Sequence, residues 1–244
     1  MPMPRIMRKT VKEKFKVYGN VFDHFTVRTI IHLSSKLGFD AYSLTPLFIG
    51  KEANVFLCDR EGAGDESIVL KIYRLETCDF NRMYDYIKSD ARFTRIKKSK
   101  RHIIFTWVQR EYRNLLKARE AGVSVPTPMT FLYNILVLEF IGNEDYLAPM
   151  LKDKKPKNPK DFFNKIIYNM RKLYKAGLVH ADLSGFNILN YNDIPIFIDF
   201  SQTTSLEDSR AQEYLERDIR NICIFFRKIG LDANEKKMKE KIVK

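Results

Sequence analysis

The sequence predicts an α+β protein of two lobes around a cleft, and two observations predict it. Strand-like apolar runs, Leu47–Leu57, Ile68–Tyr73 and Asn134–Ile141, occupy the first part of the chain, and the helical periodicities of Phe162–Ala176 and Tyr214–Ile229 occupy the second. Between those two helices lies Leu178-Val179-His180-Ala181-Asp182-Leu183-Ser184-Gly185-Phe186-Asn187-Ile188-Leu189, soon answered by Ile198-Asp199-Phe200-Ser201. With 244 residues the chain is long enough for two lobes and a cleft. The expected division is a helical extension over 1–45, a first lobe over 46–141 and a second over 142–244. No internal repeat interrupts this order.

Residues 1–45 carry a basic lead-in and then apolar positions Phe22, Phe25, Ile30, Leu33 and Leu37 near helical spacing, stopped by Gly38. They are too few for a winged helix, so DNA is not an expected partner. Leu47–Leu57 reads as strand, glycine turn, strand around Gly50-Lys51-Glu52-Ala53, without the Walker pattern. Ile68–Tyr73 is an apolar strand interrupted by Lys71. The polar, basic stretch that follows predicts a flexible loop over about 82–104, longer than most structured connections. Trp107–Ala118 predicts a helix with Val108, Tyr112, Leu115 and Leu116 on one face and Glu111 beside it. Gly122–Pro128 ends that helix, and Asn134–Ile141 is a buried strand running into Gly142. Phe162–Ala176 should turn Phe163, Ile166, Ile167, Met170 and Leu173 inward. Tyr214–Ile229 is the last expected helix, with Tyr214, Leu215, Ile222, Phe225 and Phe226 apolar.

The bulk numbers narrow the class. At 45% hydrophobic and 30% charged the chain is globular. It has no apolar run near the ~20 residues of a membrane span and no signal core after its basic start, so a cytoplasmic protein without a membrane partner is expected. Three cysteines and four histidines, widely scattered, suggest neither a disulfide framework nor a transition-metal site. The net charge of +13 is clustered, in Arg8–Lys16, Arg92–His102, Lys152–Lys160 and the C-terminal tail. Such clusters are either a solvated surface or a face for a polyanion, and several together favour RNA or ribonucleoprotein.

The chemistry sits in the polar positions. A carboxylate to orient a hydroxyl, followed by an amide and a second carboxylate for Mg²⁺, is the minimum set for phosphoryl transfer in the protein-kinase arrangement. Asp182, Asn187 and Asp199 match it in order and interval, against the alternative of a buried loop whose Asp and Asn cap turns. Lys71 then reads as the lysine that pairs the phosphates, with Glu111 as its partner and Glu120 as the rival. The strand ending at Glu139 resembles the linker between kinase lobes, where backbone groups of Glu139 and Ile141 meet the adenine edge. The residue two after Asp182 is Ser184, where protein kinases usually carry a lysine for the γ-phosphate. Only 45 residues follow Asp199, and they contain no Ala-Pro-Glu element. An activation segment and peptide-docking helices are therefore not expected.

At these positions the sequence resembles the RIO family of atypical protein kinases, in its RIO-one, archaeal-like form. Gly50-Lys51-Glu52-Ala53-Asn54-Val55, Leu70-Lys71-Ile72-Tyr73-Arg74, His180-Ala181-Asp182-Leu183-Ser184, Phe186-Asn187-Ile188-Leu189, Asp199-Phe200-Ser201-Gln202 and Tyr214-Leu215-Glu216-Arg217-Asp218-Ile219 carry the resemblance. It implies a Ser/Thr kinase or ATPase using ATP with Mg²⁺ or Mn²⁺, acting in small-ribosomal-subunit maturation with pre-ribosomal RNA as partner. It also implies that Asp199 can accept phosphate as an aspartyl intermediate, and that the Gly50–Ala53 turn covers the phosphates. The family usually has Ser-Thr before the glycine, where this chain has Phe48-Ile49, so backbone N–H groups must do more. Two other functions compete with the enzyme: an ATP-gated rRNA-binding scaffold without catalysis, and a small-molecule phosphotransferase. The intact set Lys71, Asp182, Asn187 and Asp199 favours the enzyme.

Overall fold

A computed structural model describes residues 22–60, 67–90, 92–93, 97–143 and 146–244. The expected lead-in before Phe22 lies outside these residues. Helix α1 (His24–Leu37) begins where the Asp23 carboxylate accepts the N–H groups of Phe25 and Thr26, at 2.9 and 3.0 Å. It ends at Gly38, whose φ of 67° is left-handed and whose N–H returns to the Ser34 carbonyl.

Five antiparallel strands follow in the order β1-β2-β3-β5-β4: β1 (Thr45–Ile49), β2 (Ala53–Cys58), β3 (Ile68–Tyr73), β4 (Pro128–Leu132) and β5 (Ile135–Glu139). Every residue of β3 is buried because both faces of the sheet are covered. Side chains alternate across a strand, so Ile68, Leu70 and Ile72 join Phe56, Ile135 and Val137 in a core shared with Ile30 and Leu33 of α1. Lys71 and Tyr73 consequently point to the opposite face. The strand β4 was not legible in sequence, since its first residue, Pro128, read as the end of the segment that stops the preceding helix.

The stretch expected as a flexible loop over 82–104 is helical at both ends, over 82–88 and 100–104, and residues 91 and 94–96 of it lie outside the described residues. Helix α2 (Phe80–Lys88) is capped by Asp79 and buries Met83, Tyr86 and Ile87, an i, i+3, i+4 stripe hidden in sequence by its polar neighbours. Helix α3 (Lys100–Glu120) starts seven residues before the expected Trp107, because Ser99 caps it and Ile103 and Ile104 continue its buried stripe. Glu111 lies on the buried face of α3, together with Arg110 and Asn114, whereas Tyr112 and Leu116 are only half-buried.

The second lobe is built on α4 (Pro159–Lys175) and α5 (Ala211–Lys228). Phe162 is the aromatic that α4 buries fully, with Phe163 only packed against the core, as is Phe225 of α5. A further helix, α6 (Glu235–Val243), follows the expected last one and tucks Met238 and Ile242 inward, which the lysines around them had disguised. Two small ladders complete the lobe: β6 (Leu178–Val179) with β9 (Thr204–Ser205), and the hairpin β7 (Ile188–Tyr191) with β8 (Ile194–Phe197). Asn192 and Asp193 at the hairpin tip both take positive φ, 51° and 60°, which matches the twist a two-residue hairpin needs. Among the described residues no helix is long and apolar enough to cross a membrane.

Candidate active site

The hairpin β7–β8 brings two of the expected residues together. Its register pairs Ile188 with Phe197, so Asn187 lies opposite Ile198, whose N–H donates to the Asn187 carbonyl at 3.0 Å. Asp199 is therefore one residue away from Asn187 across the ladder. It leaves β8 with φ of 62°, a conformation side-chain-bearing residues rarely hold outside turns and functional loops.

Asp182 stands on a loop that is held from beneath. The Asp218 carboxylate of α5 accepts the N–H groups of Ala181 and Leu183, both at 2.8 Å, while Ala181 holds φ of 66° and its carbonyl accepts from the Arg217 guanidinium. Burial pushes Asp218 up to about 7, against the pull of these two N–H groups and of Arg217. Asn187 donates its amide N–H to the Asp182 carbonyl at 2.8 Å and to Asp182 Oδ2 at 3.2 Å. Burial, and then the Asp199 charge, raise the Asp182 carboxyl above its ordinary value.

Lys71 closes the cleft. Its Nζ lies 2.7 Å from Glu111 Oε1 and 2.9 Å from Asp199 Oδ1, joining β3, α3 and the loop after β8. Glu111 is further fixed by the Tyr73 hydroxyl, which donates to Oε2 at 2.6 Å. Burial disfavours the Lys71 ammonium, yet Asp199 and Glu111 overrule it and raise its pKa well above the ordinary value. The same ammonium overrides burial at Asp199 and holds that carboxyl at about 2. Glu120, the rival partner, is exposed near the C-terminal end of α3.

The remaining expected residues form the rim. The Gly50 N–H closes the turn on the Ala53 carbonyl at 3.1 Å, and a Cβ there would sit 2.8 Å from that same oxygen, so glycine is required by space. The Gly50 amide is thereby spent within the turn, so it is not among the N–H groups that could compensate for Phe48 and Ile49, both of which are half exposed. The carbonyls of Lys51 and Glu52 accept from Thr77 Oγ1 and Cys78 Sγ, which ties the turn to the start of α2. Burial raises the Glu52 carboxyl, with Arg82 and Asp199 among the charges it feels. At the linker, the Glu139 N–H donates to Thr127 and the Ile141 carbonyl accepts from Ala148. Of the four linker groups, the Glu139 carbonyl and the Ile141 N–H are those left to consider for an adenine.

Asn187 and Asp199 fit a magnesium ion by their chemistry. The Asn187 NH₂ is occupied by Asp182, which leaves its amide oxygen as the other polar atom, and Asp199 is fully ionised. Two hard oxygen donors, with the other positions left to water and phosphate, are what Mg²⁺ or Mn²⁺ takes. A cavity of about 450 Å³ beside α1, lined by residues including Asp23, Pro46, Asn54 and Arg74, reaches Tyr73 and Thr77 but none of Lys71, Asp182, Asn187 and Asp199.

Several residues that shape the site carried a signal that spacing alone did not interpret. Asp218 falls on the buried stripe of α5 between Leu215 and Ile219, and a carboxylate at a core position needs donors. Arg110 and Asn114 do the same on α3. Arg110 Nη1 donates to the Ser201 carbonyl, and Asn114 donates to those of Phe200 and Thr203, so α3 grips the loop that carries Asp199. Gln202 Nε2 donates to Asp182 Oδ2 at 3.2 Å.

Comparison with known proteins decides the family. A sequence model of the RIO domain matches residues 54–240. The chain belongs to the RIO family. It is 38% identical over 228 residues to the RIO-type serine/threonine-protein kinase Rio1 of Haloferax volcanii, covering 93% of this chain and 78% of that one. It is 40% identical over 225 residues to the Rio1 kinase of Methanocaldococcus jannaschii, covering 92% and 76%. The RIO fold is matched by the solved Rio2 kinase of Chaetomium thermophilum in its ADP/Mg²⁺-phosphoaspartate complex, with a TM-score of 0.64 at 24% identity over 88% of this chain and 66% of that one. A second Rio2 structure from the same organism gives 0.66 at 22% identity, over 91% and 70%. This RIO chain is thus a Rio1-type atypical kinase with a two-lobed, protein-kinase-like fold.

Proposed function

We propose that the cleft binds ATP with Mg²⁺ and passes the γ-phosphoryl group to a Ser/Thr hydroxyl, to Asp199 or to water. The observation that carries this is the single ammonium of Lys71 between Glu111 and Asp199, because it joins three elements far apart in sequence at the point where phosphates must be neutralised. The Glu139 carbonyl and Ile141 N–H serve the adenine, the Gly50-Lys51-Glu52-Ala53 turn roofs the phosphates, and Lys71 orients the α- and β-phosphates. Asn187 and Asp199 hold the Mg²⁺, which neutralises phosphate charge when bound. Asp182 takes the proton of the attacking hydroxyl, and its raised pKa suits a base. A division of the two lobes after residue 141 belongs to the same proposal, with Glu139–Ile141 as the linker between them.

An aspartyl-phosphate at position 199 is supported by the phosphoaspartate of the Chaetomium thermophilum Rio2 complex. A role in small-ribosomal-subunit maturation, with precursor rRNA as partner, is supported by the clustered charge of +13. Radiolabelled ATP, given to the purified protein with and without small-subunit precursors and followed both as released phosphate and as protein-bound label, tests the whole reading. Asp199→Ala is expected to abolish turnover and any hydroxylamine-sensitive label. Unchanged turnover in that variant removes Asp199 from the site.

A further inference from the structure

Ser184 stands where protein kinases usually carry a lysine for the γ-phosphate, so the cleft needs another cation for that charge. Two nearby cations are already committed. Lys71 is bound by Glu111 and Asp199, and the Arg217 guanidinium donates to the Ala181 carbonyl below the loop. Helix α2 supplies a third. Its start is tied to the glycine turn through Thr77 and Cys78, and one turn later Arg82 Nη2 donates to Gln202 Oε1 at 2.8 Å. Gln202 in turn donates to Asp182 Oδ2 at 3.2 Å, and its Oε1 also accepts from the Tyr86 hydroxyl of α2 at 3.1 Å. The helix therefore bridges the phosphate roof and the catalytic carboxylate, with Arg82 exposed between them. The Arg82 charge is felt by both Glu52 and Asp182, one on each side of the opening.

We propose that Arg82 of α2 is the catalytic cation that contacts the γ-phosphoryl group in transfer, taking the place of the lysine absent at Ser184. The proposal rests on the reading of this cleft as the ATP site. In the step, the bond between the γ-phosphorus and the β,γ-bridging oxygen breaks and leaves its electron pair on ADP. A bond forms from the acceptor oxygen to the γ-phosphorus, and a hydroxyl or water acceptor gives its proton to Asp182. Arg82 exchanges no proton. Its planar fork neutralises the oxygens of the phosphoryl group as their charge shifts. Gln202 holds the guanidinium beside Asp182 before nucleotide arrives, so the cation and the base are positioned by one side chain.

A group on the γ-phosphate affects ATP turnover without affecting ADP, and that separates this role from a structural one. Turnover and the Kd values of ADP and ATP are measured for Arg82→Ala, Arg82→Gln and Arg82→Lys, with Asp199→Ala in parallel. Turnover is expected to fall about 10²-fold in Arg82→Ala and Arg82→Gln, with ADP affinity unchanged. Arg82→Lys is expected to recover part of it as a point charge without the fork. Arg82 is exposed and Met83, Tyr86 and Ile87 anchor α2, so the fold should survive, and Arg82→Gln decides if the alanine variant melts early. Turnover near wild type in the folded Arg82 variants overturns the assignment while leaving the ATP site intact. Equal loss of ADP and ATP affinity overturns it too, making Arg82 a brace for the glycine turn. Retained turnover in Asp199→Ala overturns the site and this proposal together.

Discussion

Asp182 is the residue whose proposed duty as base can be separated from its place in the loop. Its side chain accepts from Asn187 and Gln202, and the loop beneath it is fixed by Asp218 rather than by Asp182 itself. Asp182→Asn keeps the size of the side chain and removes the proton acceptor. Turnover should fall by about 10²-fold with ATP affinity preserved, as read by single-turnover kinetics and nucleotide binding. Loss of ATP binding would make Asp182 structural or a metal ligand. In the wild type the base must be ionised, so the rate falls as acid protonates it. Because Asp182 is raised, that acid limb lies at higher pH than an ordinary aspartate would give.

Helix α3 is the element that sets the cleft. From one buried face it presents Glu111 to Lys71, and Arg110 and Asn114 to the backbone after Asp199. The Arg110 guanidinium is wholly buried, and Asp90 is its carboxylate partner at 3.0 Å, shared with Arg92 at 2.6 Å. Removing one member of a buried pair leaves an unpaired charge in a medium that solvates it poorly. Asp90→Ala should therefore destabilise the fold by about 3 kcal/mol in urea titration. The double variant Asp90→Leu/Arg110→Met should recover much of that loss while turnover stays low, because the Ser201 carbonyl is released. Full stability in Asp90→Ala would show that Arg110 is held by its other contacts alone.

At the scale of the whole molecule, the larger core, which runs from α2 and α3 into the second lobe, packs against a buried imidazole. His180 packs edge-on against Phe197 and Phe200, and its Nε2 lies 3.0 Å from the Ile198 carbonyl. A carbonyl accepts only, so Nε2 carries the proton, and Nδ1 has no partner among the described residues. Protonating Nδ1 would bury a bare charge, and burial lowers this histidine from 6.5 to about 4. The unfolded chain binds that proton between pH 6.5 and 4 whereas the folded chain does not, so stability is lost as pH falls through this window. The loss approaches about 3 kcal/mol at pH 4. Urea titrations of the wild type and His180→Phe, compared pH by pH, isolate it: the wild type should lose stability relative to the variant on acidification. A difference that does not vary with pH would mean that His180 titrates normally.

The residues of the cleft were legible because their signals are local. A lysine inside an apolar strand must turn against its neighbours, and Asp182, Asn187 and Asp199 keep intervals set by one loop and one hairpin. The same locality explains what was missed. The stripe Met83, Tyr86 and Ile87 is short, and lysines crowd Met238 and Ile242, so α2 and α6 had too little pattern to stand out. Periodicity states which side of an element faces inward but not what it meets there. That Lys71 meets Glu111 and Asp199 is decided by how sheet, α3 and hairpin pack. Likewise only packing sets Asp218 under the Asp182 loop and α2 across the cleft. Buried polar groups must find partners, and those partners come from wherever in the chain the fold brings them.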